Sequence, residues 1–274
     1  MQYRSTGQAY TVIDAHAHIF PGKIAERASE SVGSFYGIPM RHAGFPHTLK
    51  ESGARAGVSR YLVCSVATKP QQVTAINDFL ARKCQEYPEF LGLSAMHPMM
   101  EGWEAEVERA ASMGFLGFKF HSDFQGFPID DPKAITVYKK IAKLHLPILF
   151  HMGDPRSDAS SPQRLYRALE QVPDLVCIAA HFGGWQRWEE ARRYLKAPNI
   201  YFDTSSSLMF LQPAQAVELL YEHGIHRFFW GTDFPMWSHR QELERFLSLG
   251  LPPEDNRRIL AENFIRFFHL DDIK

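Results

Sequence analysis

Short apolar segments alternate with longer amphipathic segments along the whole chain. Most of the short segments are nearly continuous in Val, Ile, Leu, Phe or Tyr, a pattern typical of parallel strands that are covered on both faces. This pattern predicts strands at Thr11–Ala17, Arg60–Ala67, Phe90–Ala95, Phe115–Phe120, Leu146–Phe150, Leu175–Ala180, Ile200–Asp203 and Arg227–Trp230. Strands that recur with amphipathic segments between them predict an α/β protein.

The longer segments carry apolar residues at helical spacing, and several begin with Pro or end before Gly, as helices do. They predict helices at Pro70–Tyr87, Gly102–Met113, Asp131–Leu144, Ser161–Val172, Trp185–Leu195, Pro213–His223 and His239–Leu249, with an extra C-terminal helix at Asn256–Phe268. Eight strands, each followed by such a segment, predict a single (β/α)₈ TIM barrel domain over residues 1–274. The alternative is a doubly wound open sheet, which usually carries a Gly-rich phosphate turn after a strand, and the sequence has none.

One long insertion follows the first predicted strand. The segment Pro21–His47 combines a short helix with Gly- and Pro-containing loops. A connection of this length inside a compact domain is more often functional than idle. We therefore expect it to cover the mouth of the barrel.

The composition is ordinary for a soluble globular protein, with 45% hydrophobic and 22% charged residues. Lys and Arg number 30 and Asp and Glu number 31, which gives a formal net charge of -1. This balance gives no electrostatic case for binding nucleic acid or an anionic membrane. No apolar run reaches the ~18 residues of a membrane span.

The cysteines and residues 1–9 indicate the cellular compartment in which the protein is expected. Cys64, Cys84 and Cys177 include no CxxC pair, which argues against a disulfide framework and favours a reducing compartment. Cys64 and Cys177 lie in apolar runs and are predicted to be buried. Residues 1–9 are polar and lack the apolar core of a signal peptide. A cytoplasmic protein is the expectation.

Polar residues that end the predicted strands are the candidates for chemistry, because TIM barrels carry their active sites at the carboxyl ends of their strands. The first strand ends with His16 and His18, which point to the same face since side chains alternate along a strand. Later strands end at His151, His181 and Asp233. Imidazole and carboxylate groups suit zinc and other divalent ions. A single histidine there is usually structural, but the ordered set predicts a metal site.

This set resembles the amidohydrolase superfamily and, within it, the amidohydrolase-related branch. That branch includes aminocarboxymuconate semialdehyde decarboxylase, other decarboxylases, hydratases and lactone hydrolases. The resemblance spans roughly residues 11–268. It rests on the HxH pair His16/His18, His151, His181, Asp233, the segment Gly117-Phe118-Lys119-Phe120-His121 and Asn263.

The resemblance implies that one divalent ion, expected to be Zn²⁺, is held by His16, His18, His151 and Asp233. It implies that His181 stays off the metal as an acid/base, and that Asp233 is also catalytic. Binuclear relatives carry a carbamylated lysine at the position of Lys119. In the branch resembled here a lysine in this context is usual without a second metal, so we expect one ion and no carbamate.

The leading hypothesis is a metal-dependent hydrolase, in which metal-activated water attacks a carbonyl in a C–N or C–O bond. The alternative is a non-oxidative decarboxylase of an unsaturated or aromatic carboxylic acid on the same site. A non-catalytic metal-binding protein is the alternative from another class. The expected partner is a small molecule, such as a carboxylate, and the resemblance leaves a homodimer open.

Side chains near the strand ends are candidates for substrate binding. His121 follows the fourth strand, and Arg156 and Arg240 lie on later loops where an Arg can clamp a carboxylate. Trp185 and Trp237 follow catalytic strands and are candidates to wall an aromatic or unsaturated substrate. The alternatives are a core histidine, two solvated surface arginines and two tryptophans that pack helices.

Overall fold

A computed structural model describes residues 3–5 and 8–270, with side chains from residue 10 onward. The expectation about a signal peptide concerns residues 1–9, whose side chains lie outside the described part. The strands of the described residues are β1 (Tyr3–Ser5), β2 (Gln8–Tyr10), β3 (Val12–His18), β4 (Val58–Cys64), β5 (Phe90–Gly92), β6 (Ser94–Ala95), β7 (Phe118–Phe120), β8 (Ile148–Phe150), β9 (Cys177–Ala179), β10 (Ile200–Asp203) and β11 (Phe228–Phe229).

Helices follow most of these strands. The α-helices of the described residues are α1 (Ala25–Tyr36), α2 (Pro46–Ala54), α3 (Val73–Glu86), α4 (Trp103–Ser112), α5 (Ser122–Gln125), α6 (Pro132–Lys143), α7 (Pro162–Gln171), α8 (Trp188–Tyr194), α9 (Pro213–His223), α10 (His239–Leu247), α11 (Pro253–Arg257) and α12 (Asn263–Phe267).

Each predicted strand appears in the structure, and the prediction at Phe90–Ala95 corresponds to the two short strands β5 and β6. The predicted helices appear as well, from α3 to α10. The antiparallel pair β1–β2, the helix α2 and the one-turn helix α5 were not predicted from the sequence.

The chain divides into two compact units. The first unit contains residues 1–63 and 204–274, and the second contains residues 64–203. In the second unit, β6 to β10 form a parallel sheet in chain order. Its register aligns Phe120 with Phe150, and Phe150 with Ala179. The residues that follow these strands therefore lie along one edge of the sheet.

In the first unit, β3 is paired with the segment that follows β11. The amide of Ala15 donates to the carbonyl of Trp230 at 2.9 Å, and the amide of Asp233 donates to the carbonyl of His16 at 2.8 Å. The amide of His18 donates to the carbonyl of Phe234 at 2.7 Å. This parallel pairing sets Asp233 beside the end of β3, although the two lie far apart in the sequence.

The predicted insertion Pro21–His47 contains the whole of α1. It packs against the segment that follows Asp233: the amide of His42 donates to the carbonyl of Pro235 at 3.1 Å, and the His42 ring stacks on Phe234. These contacts lie within the first unit. The role of the insertion as a lid stays a prediction.

The predicted C-terminal helix is interrupted by one π-helical segment, Arg258–Glu262, between α11 and α12. The carbonyl of Ile259 in this segment accepts a hydrogen bond from the amide of Trp230 at 2.9 Å. Asn263 donates to the carbonyls of Ile225 and Phe228, at 2.8 and 2.9 Å. The last helix is thus attached to the backbone on both sides of β11.

Among the residues that the structure describes, no helix is both long and apolar enough to cross a membrane. Cys64 and Cys177 are buried, as predicted, and Cys64, Cys84 and Cys177 form no disulfide. Burial also raises the pKa of Cys84 to about 11, so this thiol stays protonated at neutral pH.

Candidate functional site

Three of the predicted metal ligands converge in the first unit. The Nε2 atoms of His16 and His18 lie 3.2 Å apart. Oδ1 of Asp233 lies 3.7 Å from Nε2 of His16 and 3.3 Å from Nε2 of His18. The side chain of His16 is buried, whereas those of His18 and Asp233 are 14% and 16% exposed. We call these three residues the first-unit cluster.

The spacing of these atoms fits a shared divalent ion. Ligand atoms about 2.1 Å from a metal are about 3.0 to 3.6 Å apart when they subtend angles of about 90° to 120° at it. The distances of 3.2 and 3.3 Å fall in that interval, and the distance of 3.7 Å lies just above it. Two imidazoles and a carboxylate are also suitable donors for first-row divalent ions. The first-unit cluster has the geometry and the donors to hold one metal ion.

Asp14 fixes the backbone on both sides of this cluster. Its carboxylate accepts hydrogen bonds from the amide and the hydroxyl of Thr232, at 3.0 and 2.6 Å, and from the amide of His16 at 3.1 Å. Nε2 of His239 lies 3.0 Å from Oδ2 of Asp14. One buried carboxylate therefore joins the strand that carries the histidines to the segment that carries Asp233.

The backbone of Asp233 lies in the left-handed region, with φ 59°. This region is uncommon for residues other than glycine, although Asp tolerates it better than most. The second carboxylate oxygen, Oδ2, accepts a hydrogen bond from Oγ of Ser206 at 2.6 Å. The two oxygens of Asp233 therefore have different surroundings: Oδ1 faces the histidines and Oδ2 faces Ser206.

His151 and His181 are in contact within the second unit. Nδ1 of His151 lies 3.0 Å from Nε2 of His181. Nε2 of His151 lies 3.1 Å from the carbonyl oxygen of Gly153, which can only accept a hydrogen bond. The proton of a neutral His151 therefore belongs on Nε2, and the lone pair is on Nδ1. This tautomer places the lone pair of His151 on Nδ1, which faces Nε2 of His181.

His181 is held in position by its backbone. Its φ of 61° lies in the left-handed region, and its amide donates to Oδ1 of Asp203 at 3.0 Å. Its carbonyl accepts a hydrogen bond from the indole of Trp188 at 3.0 Å. Uncommon backbone conformations of this kind persist only where the surroundings fix them, and they are frequent at functional sites.

His121 stacks on His151, with ring centroids 3.8 Å apart and planes 4° from parallel. Phe124 stacks on the other face of His121, with centroids 3.9 Å apart. An imidazole binds a metal with a lone pair that lies in the ring plane, so an ion bound to one of two stacked rings lies out of the plane of the other. His121 and His151 are thus poorly placed to share an ion, although their nitrogens and an Asp123 oxygen are close together.

Asp123 is a buried carboxylate that the sequence analysis missed. Its side chain is 2% exposed, and Oδ2 lies 3.9 Å from Nε2 of His151. Oδ2 also accepts a hydrogen bond from Ser160 at 2.5 Å. The negative charge beside Nε2 favours the proton on that atom, and therefore the lone pair on Nδ1.

The two arginines predicted to bind substrate have intramolecular partners. Arg156 binds the buried carboxylate of Asp154 through Nε at 2.9 Å and Nη2 at 2.7 Å. Burial opposes the ionisation of Asp154, but the hydrogen bonds from Arg156 outweigh it and leave the pKa of Asp154 below its usual value. Arg240 is 73% exposed and pairs with Glu244 one helical turn away. This environment favours the alternative of a solvated surface residue for Arg240.

The other candidates for substrate binding are buried, as is Lys119. His121 is 4% exposed, Trp185 is 7% exposed, and Trp237 is 2% exposed with its indole N–H donated to Ser206 at 2.9 Å. Trp237 thus contacts the hydroxyl that binds Asp233. Lys119 is 1% exposed on β7. The substrate-binding roles and the absence of a carbamate on Lys119 stay predictions.

The comparison with known sequences identifies the family. A sequence model described as Amidohydrolase matches residues 13–270. The chain therefore belongs to the amidohydrolase family and is an enzyme of that superfamily, as the strand-end residues predicted. No curated protein sequence matches the chain at a significant level.

Solved structures resemble the chain over nearly its whole length. A dihydroxybenzoic acid decarboxylase from Polaromonas sp. JS666, with bound manganese and the inhibitor 2-nitroresorcinol, has a TM-score of 0.76 at 15% identity, covering 96% of this chain and 98% of that chain. A 5-carboxyvanillate decarboxylase from Novosphingobium aromaticivorans, complexed with manganese and 4-hydroxy-3-methoxy-5-nitrobenzoic acid, has a TM-score of 0.72 at 16% identity, covering 98% of both chains.

A probable 2-pyrone-4,6-dicarboxylic acid hydrolase from Acinetobacter baumannii, with citric acid bound, has a TM-score of 0.69 at 17% identity, covering 94% of this chain and 99% of that chain. At these identities the likeness shows a common fold, and the neighbours are TIM-barrel proteins. The predicted fold class is confirmed.

Proposed function

We propose that this enzyme is a metal-dependent, non-oxidative decarboxylase of an aromatic or unsaturated carboxylic acid. The observation that carries the proposal is the convergence of His16, His18 and Asp233, whose three ligand atoms lie 3.2 to 3.7 Å apart. In the proposal these residues hold one divalent ion. The resemblance to the amidohydrolase superfamily implies His151 as a fourth ligand, and this stays a prediction.

The surroundings of Asp233 favour decarboxylation over hydrolysis. A hydrolase of this kind needs a base to accept the proton of the attacking water, and Asp233 is the candidate. Its Oδ2 already accepts a hydrogen bond from Ser206 at 2.6 Å. A hydrogen bond donated to a carboxylate stabilises the ionised form and makes it a poorer proton acceptor. Asp233 is therefore better suited to ligation than to activating water.

A divalent ion held by His16, His18 and Asp233 would supply Lewis-acid chemistry toward the oxygen atoms of the substrate. His181 supplies a proton from Nε2 to the carbon that bears the carboxylate, and a π-electron pair of the substrate forms the new C–H bond. The bond to the carboxylate then breaks, its electron pair restores the π-bond, and CO₂ leaves. Solvent returns a proton to His181, so the net change replaces CO₂ by H⁺.

The comparisons support this reaction more than the hydrolysis that the sequence analysis placed first. Two of the structural neighbours described above are decarboxylases of hydroxylated benzoic acids, and both hold manganese. The hydrolase neighbour supports ring opening of a lactone as the second candidate function. Zinc was expected from the sequence, whereas manganese is the metal of the two decarboxylases. The protein is therefore to be reconstituted with each of the two ions separately.

The test is release of labelled CO₂. The protein is loaded with Mn²⁺ or Zn²⁺ and mixed with hydroxybenzoic acids that carry ¹³C in the carboxyl group, and headspace ¹³CO₂ is measured by mass spectrometry. In parallel, 2-pyrone-4,6-dicarboxylic acid is followed by ultraviolet absorbance. We expect ¹³CO₂ from at least one acid, and His181→Ala lowers its rate by about 10²- to 10⁴-fold. Opening of the pyrone ring without ¹³CO₂ from any acid contradicts the proposal and favours hydrolysis.

A further inference from the structure

Three consecutive serines follow β10, one of the strands whose ends supplied no residue to the predicted ligand set. Ser205 and Ser207 are fully buried, and Ser206 is 6% exposed. Burying a hydroxyl without a hydrogen bond costs free energy, so a buried run of serines requires specific partners. The partners of these three hydroxyls differ in kind.

Ser205 and Ser206 reach two members of the first-unit cluster. Oγ of Ser205 lies 3.1 Å from Nδ1 of His16, the ring nitrogen that faces away from the other ligand atoms. Oγ of Ser206 donates to Oδ2 of Asp233 at 2.6 Å. Each serine therefore contacts an atom of a ligand side chain that does not face the metal position.

Ser207 provides the contrast within the same segment. Its Oγ donates to the backbone carbonyl of Ser205 at 3.0 Å, so it binds backbone and no member of the cluster. Consecutive side chains of an extended chain point to opposite faces. Ser206 has a φ of 51°, in the left-handed region. This turn breaks the alternation and allows neighbouring serines to reach the same cluster.

Trp237 completes the surroundings of Ser206. Its indole N–H donates to Oγ of Ser206 at 2.9 Å. An indole N–H can only donate, so Oγ accepts this bond and uses its own proton for Asp233. The direction of the hydrogen bond between Ser206 and Asp233 is thereby fixed.

We propose that Ser205 and Ser206 are positioning residues that set how His16 and Asp233 bind the metal, an inference that rests on the proposed function. Ser205 accepts the Nδ1 proton of His16, which holds the lone pair on Nε2. Ser206 occupies Oδ2 of Asp233, which leaves Oδ1 as the single ligating oxygen. Partners of metal ligands that act in this way typically change metal affinity by about 10- to 100-fold when they are removed.

The test compares Ser205→Ala, Ser206→Ala and the control Ser207→Ala. Metal affinity is measured by competition with a chelator, and the thermal unfolding of each metal-free variant reports its fold. We expect the first two variants to bind Mn²⁺ or Zn²⁺ about 10- to 100-fold more weakly, and Ser207→Ala to bind like the wild type. If the serines only stabilise the fold, the metal affinity of all three variants should instead fall in proportion to the stability that each metal-free variant has lost.

Cobalt provides a second readout that does not depend on activity. In Ser206→Ala the released Oδ2 becomes able to join Oδ1 on the ion, so the visible absorption of the Co²⁺ protein should weaken as its coordination number rises. A Co²⁺ spectrum and a metal affinity equal to those of the wild type overturn the proposal. If Ser206→Ala does not fold, the metal affinity of Ser205→Ala decides whether the positioning role holds. A wild-type protein that binds no metal contradicts the proposed function itself, whereas unaltered variants of a metal-binding wild type contradict only the positioning role.

Discussion

Asp14 and Thr232 are joined by two hydrogen bonds, one to the backbone amide at 3.0 Å and one to the hydroxyl at 2.6 Å. Asp14 lies two residues before His16, and Thr232 is the residue before Asp233. The pair therefore fixes the distance between the histidines and the carboxylate of the first-unit cluster, independently of any metal.

Replacing Asp14 by Asn should destabilise the metal-free protein. The substitution removes a buried charge-assisted acceptor and leaves its donors without a full set of partners, at a cost of about 1 to 3 kcal/mol in the free energy of unfolding. Urea denaturation in the presence of a chelator measures this cost. The exposed Asp174→Asn is the control and should unfold like the wild type. Equal stability of the two variants would show that the bonds to Thr232 contribute nothing.

Gly153 is predicted to be irreplaceable for two separable reasons. Its φ is 81°, and a Cβ atom at this position would lie 2.4 Å from the amide nitrogen of Trp185. Gly126 has a similar φ of 74° but open space around it. Gly126→Ala should therefore cost only the left-handed conformation, about 1 to 2 kcal/mol.

Gly153→Ala should cost clearly more than Gly126→Ala, because the loops after β8 and β9 must also move apart. Thermal unfolding of both variants measures the difference. Similar melting temperatures for the two would mean that the loops adjust freely, contrary to the close packing seen around Gly153.

The ionisation of Glu242 should contribute to the pH dependence of the free energy of unfolding. Burial, with smaller contributions from Asp233 and Asp14, outweighs the opposing effect of Arg245 and raises the pKa of Glu242 to about 7. Between the unfolded pKa of about 4.3 and the folded value, only the folded protein holds this proton. Stability therefore falls as pH rises through this window, and the penalty is complete above it.

Glu242→Gln should remove this contribution. Relative to the wild type, the variant should gain more than about 1 kcal/mol of stability between pH 5 and pH 8, measured by urea denaturation of metal-free protein. The exposed Glu244→Gln serves as the control. If both variants follow the wild-type profile in parallel, Glu242 ionises normally in the folded state.

The order and type of the main elements follow from the sequence. The strands are nearly continuous apolar runs, and the helices between them have apolar residues at helical spacing and often begin with Pro or end before Gly. The sequence predicts a short helix within Pro21–His47, but it does not indicate where α1 begins and ends. Its buried residues are Ala25, Ser29 and Gly33, so its inward face is made of small residues rather than apolar ones. Hydrophobic periodicity therefore gives little information about the bounds of α1, and the contacts of His42 with the Phe234–Pro235 segment appear only in three dimensions.

The candidate site also contains some residues that the sequence predicted and others that only the folded structure reveals. The alternation of side chains along a strand placed His16 and His18 on one face, and the order of strand ends pointed to Asp233. Ser206 and Asp123 gave no signal, because a serine or an aspartate a few residues after a strand is common in any sequence. Their importance lies in partners 27 and 28 residues away, Asp233 and His151, which only the folded chain brings near them.

His181 and Asp233 should differ in their effect on metal binding. His181→Ala should retain most of its metal and lose turnover by about 10²- to 10⁴-fold, because the imidazole acts as the proton donor. Asp233→Ala should lose both turnover and metal, because Oδ1 is a ligand. Elemental analysis of the purified variants tests this before any substrate is known, with the exposed His145→Ala as the control. A metal-free His181→Ala beside a fully loaded Asp233→Ala would reverse the two assignments.

The metal content of a His16→Ala/His18→Ala double variant tests the central claim most directly. The wild type, the double variant and a control that loses two exposed histidines, His145→Ala/His226→Ala, are reconstituted with Mn²⁺ or Zn²⁺, desalted and analysed by elemental mass spectrometry. The two Nε2 atoms that lie 3.2 Å apart are predicted to be ligands of a single ion. The wild type and the control should then each carry about one equivalent of metal per chain, and the double variant should carry almost none while keeping its circular dichroism spectrum. A folded double variant with full metal occupancy would contradict the account.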